Sequence, residues 1–371
     1  MLDQDDVIIH FWQNVVNQAL QSRASDIHVE PENGVSHIRL RVDGHLKHLT
    51  SSPSNWHERI TSRIKILARL DIAEKRLPQD GQMLIGYQEN NPNIDCRIST
   101  LPTLHGEKIV LRILNQSVGD LDLNLLGFTD RQLLDLKSAL DKSQGFILVT
   151  GPTGSGKTHT LYSCLKQLMD GTKNLTSIED PIEVQLKGVN QVHINEKAGL
   201  RFDNALRALM RQDPDVIMVG EIRDLKTAEV AFQAAETGHL VLATLHANDA
   251  PSALWRLKQL GIGLDQLANN LICITAQRLV RLFCHHCAGQ VSLANNESCH
   301  VCDGTGFKGR TGIHQVLPIN NELRTLIESG ATLTTINKYC QLSQIINLSE
   351  SAQLLVERGI TSQAEAMRHA A

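Results

Sequence analysis

The sequence predicts an α/β protein in two parts, a small α+β domain followed by a larger domain built on a mostly parallel sheet. Three observations carry this prediction. After Thr129, apolar runs of strand type alternate with helical patterns, the order that yields a parallel sheet covered on both faces. Gly151-Pro152-Thr153-Gly154-Ser155-Gly156-Lys157-Thr158 meets the pattern G-x-x-x-x-G-K-[ST] at every fixed position. Ahead of both, short strands flank Asp43-Gly44, a strong hairpin signal.

In chain order, residues 5 to 23 read as an amphipathic helix with Val7, Ile8, Phe11, Val15, Ala19 and Leu20 on one side. A strand closed by Pro31 follows, then the hairpin strands 37–42 and 45–49, and a helix from Trp56 to about Leu70. Strands near 83–87, 94–99 and 108–114 complete a domain assigned to residues 1–115, sheet on one side and helices on the other. Residues 116–125 are polar and aspartate-bearing, and read as a linker and hinge. From 126 to 371 the pattern gives a helix after Thr129, strands at 146–150, 175–178, 215–219 and 239–243, and helices at 159–169, 203–211 and 224–236. Ligands of such sheets bind at the carboxyl ends of the strands.

Composition narrows the class. The chain has 371 residues, 42% hydrophobic and 20% charged, as in ordinary soluble proteins with two or three cores. A net charge of -4 supplies no long-range attraction for nucleic acid. No apolar run approaches the ~20 residues of a membrane helix. Met1-Leu2-Asp3-Gln4-Asp5-Asp6 is acidic where a signal peptide is basic, so a cytoplasmic location with reduced cysteines is expected.

The glycine-rich stretch carries the sharpest chemistry. A strand feeding a glycine turn and then a helix points backbone N–H groups and a helix N-terminus at one anion. Lys157 is expected on the β- and γ-phosphates of ATP, and the Thr158 hydroxyl on Mg²⁺. Asp215-Val216-Ile217-Met218-Val219-Gly220-Glu221 is an apolar strand ending in a carboxylate, where an ATPase places the acid that polarises the attacking water. Glu179-Asp180-Pro181-Ile182-Glu183 reads either as a charged turn or as a site where Glu179 or Glu183 positions water or metal. His239 and His246 bracket another strand, and His246, at its leaving end, is the better phosphate sensor. Cys284, Cys287, Cys299 and Cys302 form C-x2-C-x11-C-x2-C, a pattern for a closed structural Zn²⁺ site in which His285, His286 or His300 could replace one thiolate. Cys96, Cys164, Cys273 and Cys340 lack such spacing and read as buried thiols.

Together these stretches resemble the GspE/PilB-type ATPases of type II secretion and type IV pilus assembly, over nearly the whole chain. Ala24-Ser25-Asp26-Ile27-His28-Val29-Glu30-Pro31 and Ile98-Ser99-Thr100-Leu101-Pro102-Thr103 with His105-Gly106-Glu107-Lys108 look like that family's first-domain signatures. Glu179 to Glu183 matches its Asp box, 209–224 its Walker B region, and His239 and His246 fall in its His box. The four cysteines and Gly309-Arg310-Thr311-Gly312-Ile313 complete the likeness.

The resemblance implies a PAS-like first domain, a RecA-like P-loop ATPase domain with a zinc module at 284–302, and C-terminal helices. It implies Arg97 and Arg112 as arginine fingers; Arg207, Arg211 and Arg278 are weaker candidates for that role and read rather as structural or interface residues. It further implies a homohexameric motor, peripheral at the inner membrane and acting through a platform protein, without sequence-specific nucleic acid. Two departures stand out. The signature starts almost at Met1, leaving no stretch for the extra N-terminal docking domain of many members, and the first cysteine pair lacks the usual proline and sits close to the second.

Three rivals are weighed. A retraction motor shares the P-loop region, but such relatives generally lack the four cysteines. A nucleic-acid motor fits poorly with negative charge and 4% aromatics. A zinc-organised scaffold that only binds nucleotide requires an idle Glu221.

Overall fold

The computed structural model describes residues 4–85, 94–114, 121–290 and 299–370. It divides into two units, Met1–Val118 and Gly119–Ala371.

The first unit runs α1 (Gln4–Gln21), β1 (Asp26–Glu32), β2 (Val35–Val42), β3 (His45–Pro53), α2 (Ser54–Leu67), β4 (Gln79–Ile85), β5 (Ile94–Thr103) and β6 (Gly106–Ile113). Its strands form one sheet in the order β3-β2-β1-β6-β5-β4, and every pairing is antiparallel. Asp43 and Gly44 both adopt positive φ, 49° and 84°, which the twist of a tight hairpin requires. Alternation sorts the strands by face. Ile27, Val29, Ile38, Ile98, Ile109 and Leu111 meet Ile8 and Trp12 of α1 and Ile60 and Ile64 of α2 in a single core. The alternate positions put charged residues on the other face.

The second unit begins with a short 3₁₀ turn, Leu123–Leu125, whose Leu123 is buried. Residues 116–120 of the expected hinge lie outside the described residues. There follow α3 (Asp130–Leu140), β7 (Gly145–Thr150), α4 (Lys157–Leu168), β8 (Leu175–Glu179), β9 (Val189–His193), α5 (Phe202–Leu209), β10 (Val216–Val219), α6 (Leu225–Glu236) and β11 (Leu240–Leu245). The chain continues through α7 (Ala250–Leu260), α8 (Leu264–Asn270), β12 (Leu271–Phe283), β13 (Phe307–Pro318), α9 (Asn321–Glu328), α10 (Leu333–Leu342), α11 (Leu348–Glu357) and α12 (Gln363–Ala370). The sheet order is β13-β12-β7-β11-β10-β8-β9, parallel throughout except for the β12–β13 pair. Every residue of β7, β8, β10 and β11 is buried, as a sheet covered on both faces demands. Strands β9, β12 and β13 were not among the sequence expectations.

A buried histidine ties the start of this unit to its sheet edge. His314 on β13 lies close to the Leu126 carbonyl through Nε2 (2.9 Å) and stacks on Phe128 with centroids 3.7 Å apart. Gly312 N donates to the same carbonyl at 3.1 Å, and Gln132 of α3 donates to His314 O at 2.6 Å. Burial drives the His314 pKa down to about 4, opposed in part by the Leu126 carbonyl.

Because the folded value lies below the unfolded one, this contribution to stability is whole above about pH 6.5 and is lost as pH falls toward about 4. We expect urea unfolding of the second unit to weaken by about 2 kcal/mol between pH 7 and pH 5 on this account. His314→Gln should flatten that dependence, and an equal slope in the variant would refute the assignment.

Candidate functional site: a phosphate cradle at the carboxyl ends of the strands

The loop after β7 is shaped by glycine. Gly151, Gly154 and Gly156 have φ of 150°, 78° and 88°, and Gly156 caps the N-terminus of α4 in the left-handed region. Space beside Gly154 is open, so an anion can come against the backbone there. Gln277 of β12 pins the loop from below: its Nε2 donates to Ser155 O at 2.7 Å, and its Oε1 accepts from Thr160 at 2.8 Å. Lys157 Nζ donates to the carbonyls of Gly151 and Pro152 at 2.9 and 3.1 Å. Burial lowers the Lys157 pKa and Arg278 adds to this, while Glu221 and Glu183 pull it back up. The exposed Pro152 and Thr153 form the rim of the loop.

Two carboxylates stand over this cradle. Glu221 follows β10, and Thr244 of β11 secures that tail by donating from Oγ1 to Gly220 O, while Ile222 N donates to Thr244 O at 2.9 Å. The pairing brings His246 Nε2 to 3.0 Å from Glu221 Oε1, with Arg223 Nε 3.0 Å from Oε2. Glu183 comes from the turn after β8, and Thr158 Oγ1 donates to its Oε1 at 3.4 Å. Thr158 and Glu183 offer hard oxygen ligands beside the loop, the donor set Mg²⁺ prefers.

Glu179 is placed differently. It is 3% exposed, and its carboxylate accepts from Ser177 Oγ at 2.6 Å, Gln191 Nε2 at 3.1 Å and the Tyr162 hydroxyl. It is a buried structural anchor beneath the turn, whereas Glu183 faces the loop. His239 closes the end of α6, its Nδ1 lying 2.8 Å from Ala234 O. Gln277, Tyr162 and Arg223 had no functional role in the sequence reading.

The four cysteines converge. Cys284 and Cys299 sulfurs lie 3.9 Å apart, and those of Cys287 and Cys302 3.7 Å. All four lie within 4.8 Å of one another. A tetrahedron of Zn–S bonds of ~2.3 Å places its sulfurs ~3.8 Å apart, so the geometry fits Zn²⁺. Ala288 and Asp303, each following the second cysteine of a pair, share φ near +50° (48° and 53°), so the two knuckles turn alike. Among the described residues the ligand cluster holds thiols alone; His286 Nδ1 stands 3.4 Å from Cys299 Sγ. Residues 291–298 between the pairs lie outside the described residues. Burial raises the thiol pKa of Cys96, Cys164, Cys273 and Cys340, which suits inert core positions.

Arg97 and Arg112 belong to the first unit, directly opposite each other on β5 and β6. They line a cavity of about 480 Å³ with Asp80, Gln82 and Ser99 on the charged face of that sheet. Arg112 Nε donates to Asp26 at 3.1 Å, while Arg97 Nε is buried without a hydrogen-bond partner among the described residues. In the second unit Arg278 donates to Asn248 O at 2.8 Å, and Arg211 to Arg207 O at 2.8 Å, both structural contacts.

A glycine cradle, a lysine and strand-end carboxylates on a parallel sheet define a P-loop ATPase. The chain belongs to the family described as Type II/IV secretion system protein, which it matches over residues 1–368. It is 43% identical over 371 residues to the type II secretion system protein HxcR of Pseudomonas aeruginosa, covering 99% of this chain and 79% of that one. It is 41% identical over 377 residues to the type IV pilus assembly ATPase PilB of Thermus thermophilus, covering 96% of this chain and 42% of that longer protein. Among solved structures, the pilus retraction motor PilT with bound ADP has a TM-score of 0.67 at 26% identity and covers 96% of each chain. The Legionella pneumophila ATPase DotB shares the fold, with a TM-score of 0.75 at 20% identity, covering 96% of this chain and 94% of that one. Among the described residues no helix is long and apolar enough to cross a membrane.

The glycines differ in what a side chain would meet. A Cβ on Gly151 would fall 2.5 Å from Gln277 O and 2.6 Å from Ser155 Oγ, whereas one on Gly154 meets nothing within 4 Å. Gly154→Ala should therefore cost only the left-handed strain, about 1–2 kcal/mol, or a few degrees in melting temperature. Gly151→Ala should lower the melting temperature of the nucleotide-free protein clearly further; equal shifts would contradict the packing described.

Proposed function

We propose that this chain is an ATP-hydrolysing motor that assembles a type IV pilus or a type II secretion pseudopilus. One observation carries the reading: Lys157, Thr158, Glu183, Glu221 and His246 gather around a single glycine cradle at the carboxyl ends of parallel strands. Lys157 exchanges its loop carbonyls for the β- and γ-phosphates of ATP. Thr158 and Glu183 would hold Mg²⁺, which neutralises charge on the phosphates when bound. Glu221, braced by His246 and Arg223, orients the attacking water and takes its proton as the γ-phosphoryl group leaves ADP. Arg97 and Arg112 act as arginine fingers on the spreading phosphate charge, from the same chain or a neighbour.

In this reading the chain works as a ring of six copies, because a site completed by a second domain makes hydrolysis depend on subunit arrangement. The domain of residues 1–115 closes over ATP about the 116–125 connection and reopens after hydrolysis, and the 126–371 domain carries the P-loop. The stroke passes to a platform protein of the inner membrane, which holds the motor peripherally at the cytoplasmic face. Cys284, Cys287, Cys299 and Cys302 hold a structural Zn²⁺. The names of relatives such as HxcR and PilB support the assembly role. A retraction motor is the second reading, favoured by the fold shared with PilT and opposed by the cysteine cluster.

Glu221→Gln tests the catalytic core. Phosphate release should fall at least about 100-fold while ATP stays bound, as when a transition-state contact is removed without loss of ground-state binding. An unchanged rate of phosphate release would remove Glu221 from the catalytic role, and a wild-type chain that binds ATP but releases no phosphate would be only a nucleotide-binding scaffold.

A further inference from the structure

Tyr162 lies one helical turn beyond Thr158 on α4 and is 1% exposed. Its hydroxyl uses both of its hydrogen-bonding capacities on the turn after β8. It donates to Glu179 Oε2 and accepts from the backbone N–H of Glu183 at 3.3 Å. Gln191 of β9 braces the same turn, donating to Glu179 Oε1 at 3.1 Å and to Val184 O at 2.9 Å. The turn is thus fastened at residues 183 and 184 to one buried carboxylate. On the preceding turn of the same helix, Thr158 Oγ1 donates to the Glu183 side chain at 3.4 Å. Burial, then the Glu179 carboxylate, push the Tyr162 phenol far above its ordinary value, so it remains a neutral donor at working pH.

A tyrosine serving only the core needs one acceptor for its hydroxyl. Here the donor and acceptor roles both fall within five residues, Glu179 to Glu183, that end in the carboxylate beside the loop threonine. We propose that Tyr162 is a positioning residue for the divalent cation of the nucleotide: its hydroxyl fixes the Glu183 backbone so that the Glu183 carboxylate stays beside Thr158 Oγ1. The proposal rests on the P-loop ATPase reading and adds to it a buried group that touches neither nucleotide nor metal. Outer groups that orient a metal ligand typically change metal affinity 10- to 100-fold.

The test uses the full chain and a fluorescent, non-hydrolysable ATP analogue, titrated with and without Mg²⁺. Tyr162→Phe keeps the ring, so affinity without Mg²⁺ should stay within about twofold of wild type, while the gain from Mg²⁺ should fall by about tenfold. Glu183→Gln should show the same loss, and the double variant no more than either alone, because both act on one contact. Should Tyr162→Phe not fold, Gln191→Ala on the less buried β9 loosens the same turn and should give the same reduced Mg²⁺ gain. A Tyr162→Phe protein with the full Mg²⁺ gain, or losses that add in the double variant, would overturn the proposal alone. A wild-type protein that binds no nucleotide would bring down the ATPase reading, and this proposal with it.

Discussion

The structure depends on how an ammonium group is held at a turn that has no side chains of its own to spare. Lys157 is half-buried and rests on the carbonyls of Gly151 and Pro152, and the Glu221 and Glu183 carboxylates offset part of what burial costs its charge. Beside it α4 begins at Lys157 with no side-chain cap, so the N-terminus of that helix, with backbone N–H groups that lack helical partners, opens next to the loop. A triphosphate supplies the complementary charge to both. A β-carbon at Gly151 would collide with Gln277 O and Ser155 Oγ, one at Gly156 would add left-handed strain, and Gln277 reaches from β12 to hold the loop at Ser155 and Thr160.

The parallel sheet explains why distant residues meet at this place. β7, β10 and β11 run in register, so their leaving ends fall at one edge and carry the loop, Glu221 and His246 with them. β8 adds the turn that presents Glu183. The same logic separates two carboxylates that look alike in sequence. Glu179 is the last residue of β8 and is turned inward to a network of hydroxyl and amide donors, and four residues later Glu183 has left the strand and reaches the loop.

Features that depend on local chemistry were legible in the sequence. The loop was readable because glycines at fixed spacing have few other uses, and the cysteines because two C-x2-C pairs admit few other arrangements. Glu221 and His246 followed from the rule that strand ends carry ligand chemistry. Long-range features were not legible. Gln277 contacts Thr160 from 117 positions away, and nothing near it in sequence marks it. β12 follows α8 without a break and carries Gln277, Arg278 and Arg281 among its apolar residues, while Gly309 and Gly312 interrupt β13, so neither read as a strand. The inward turn of Glu179 was hidden for a related reason: its partner Tyr162 reads as one more helical residue after the loop.

The central claim is that Lys157 is poised to trade two backbone carbonyls for phosphate oxygens. A structure solved with Mg²⁺ and a non-hydrolysable ATP analogue tests this most directly. The account predicts the terminal phosphoryl group against Gly154, Lys157 Nζ drawn off Gly151 and Pro152 onto it, and the cation between Thr158 and Glu183. Lys157 still on its carbonyls, with the nucleotide bound elsewhere, would contradict it.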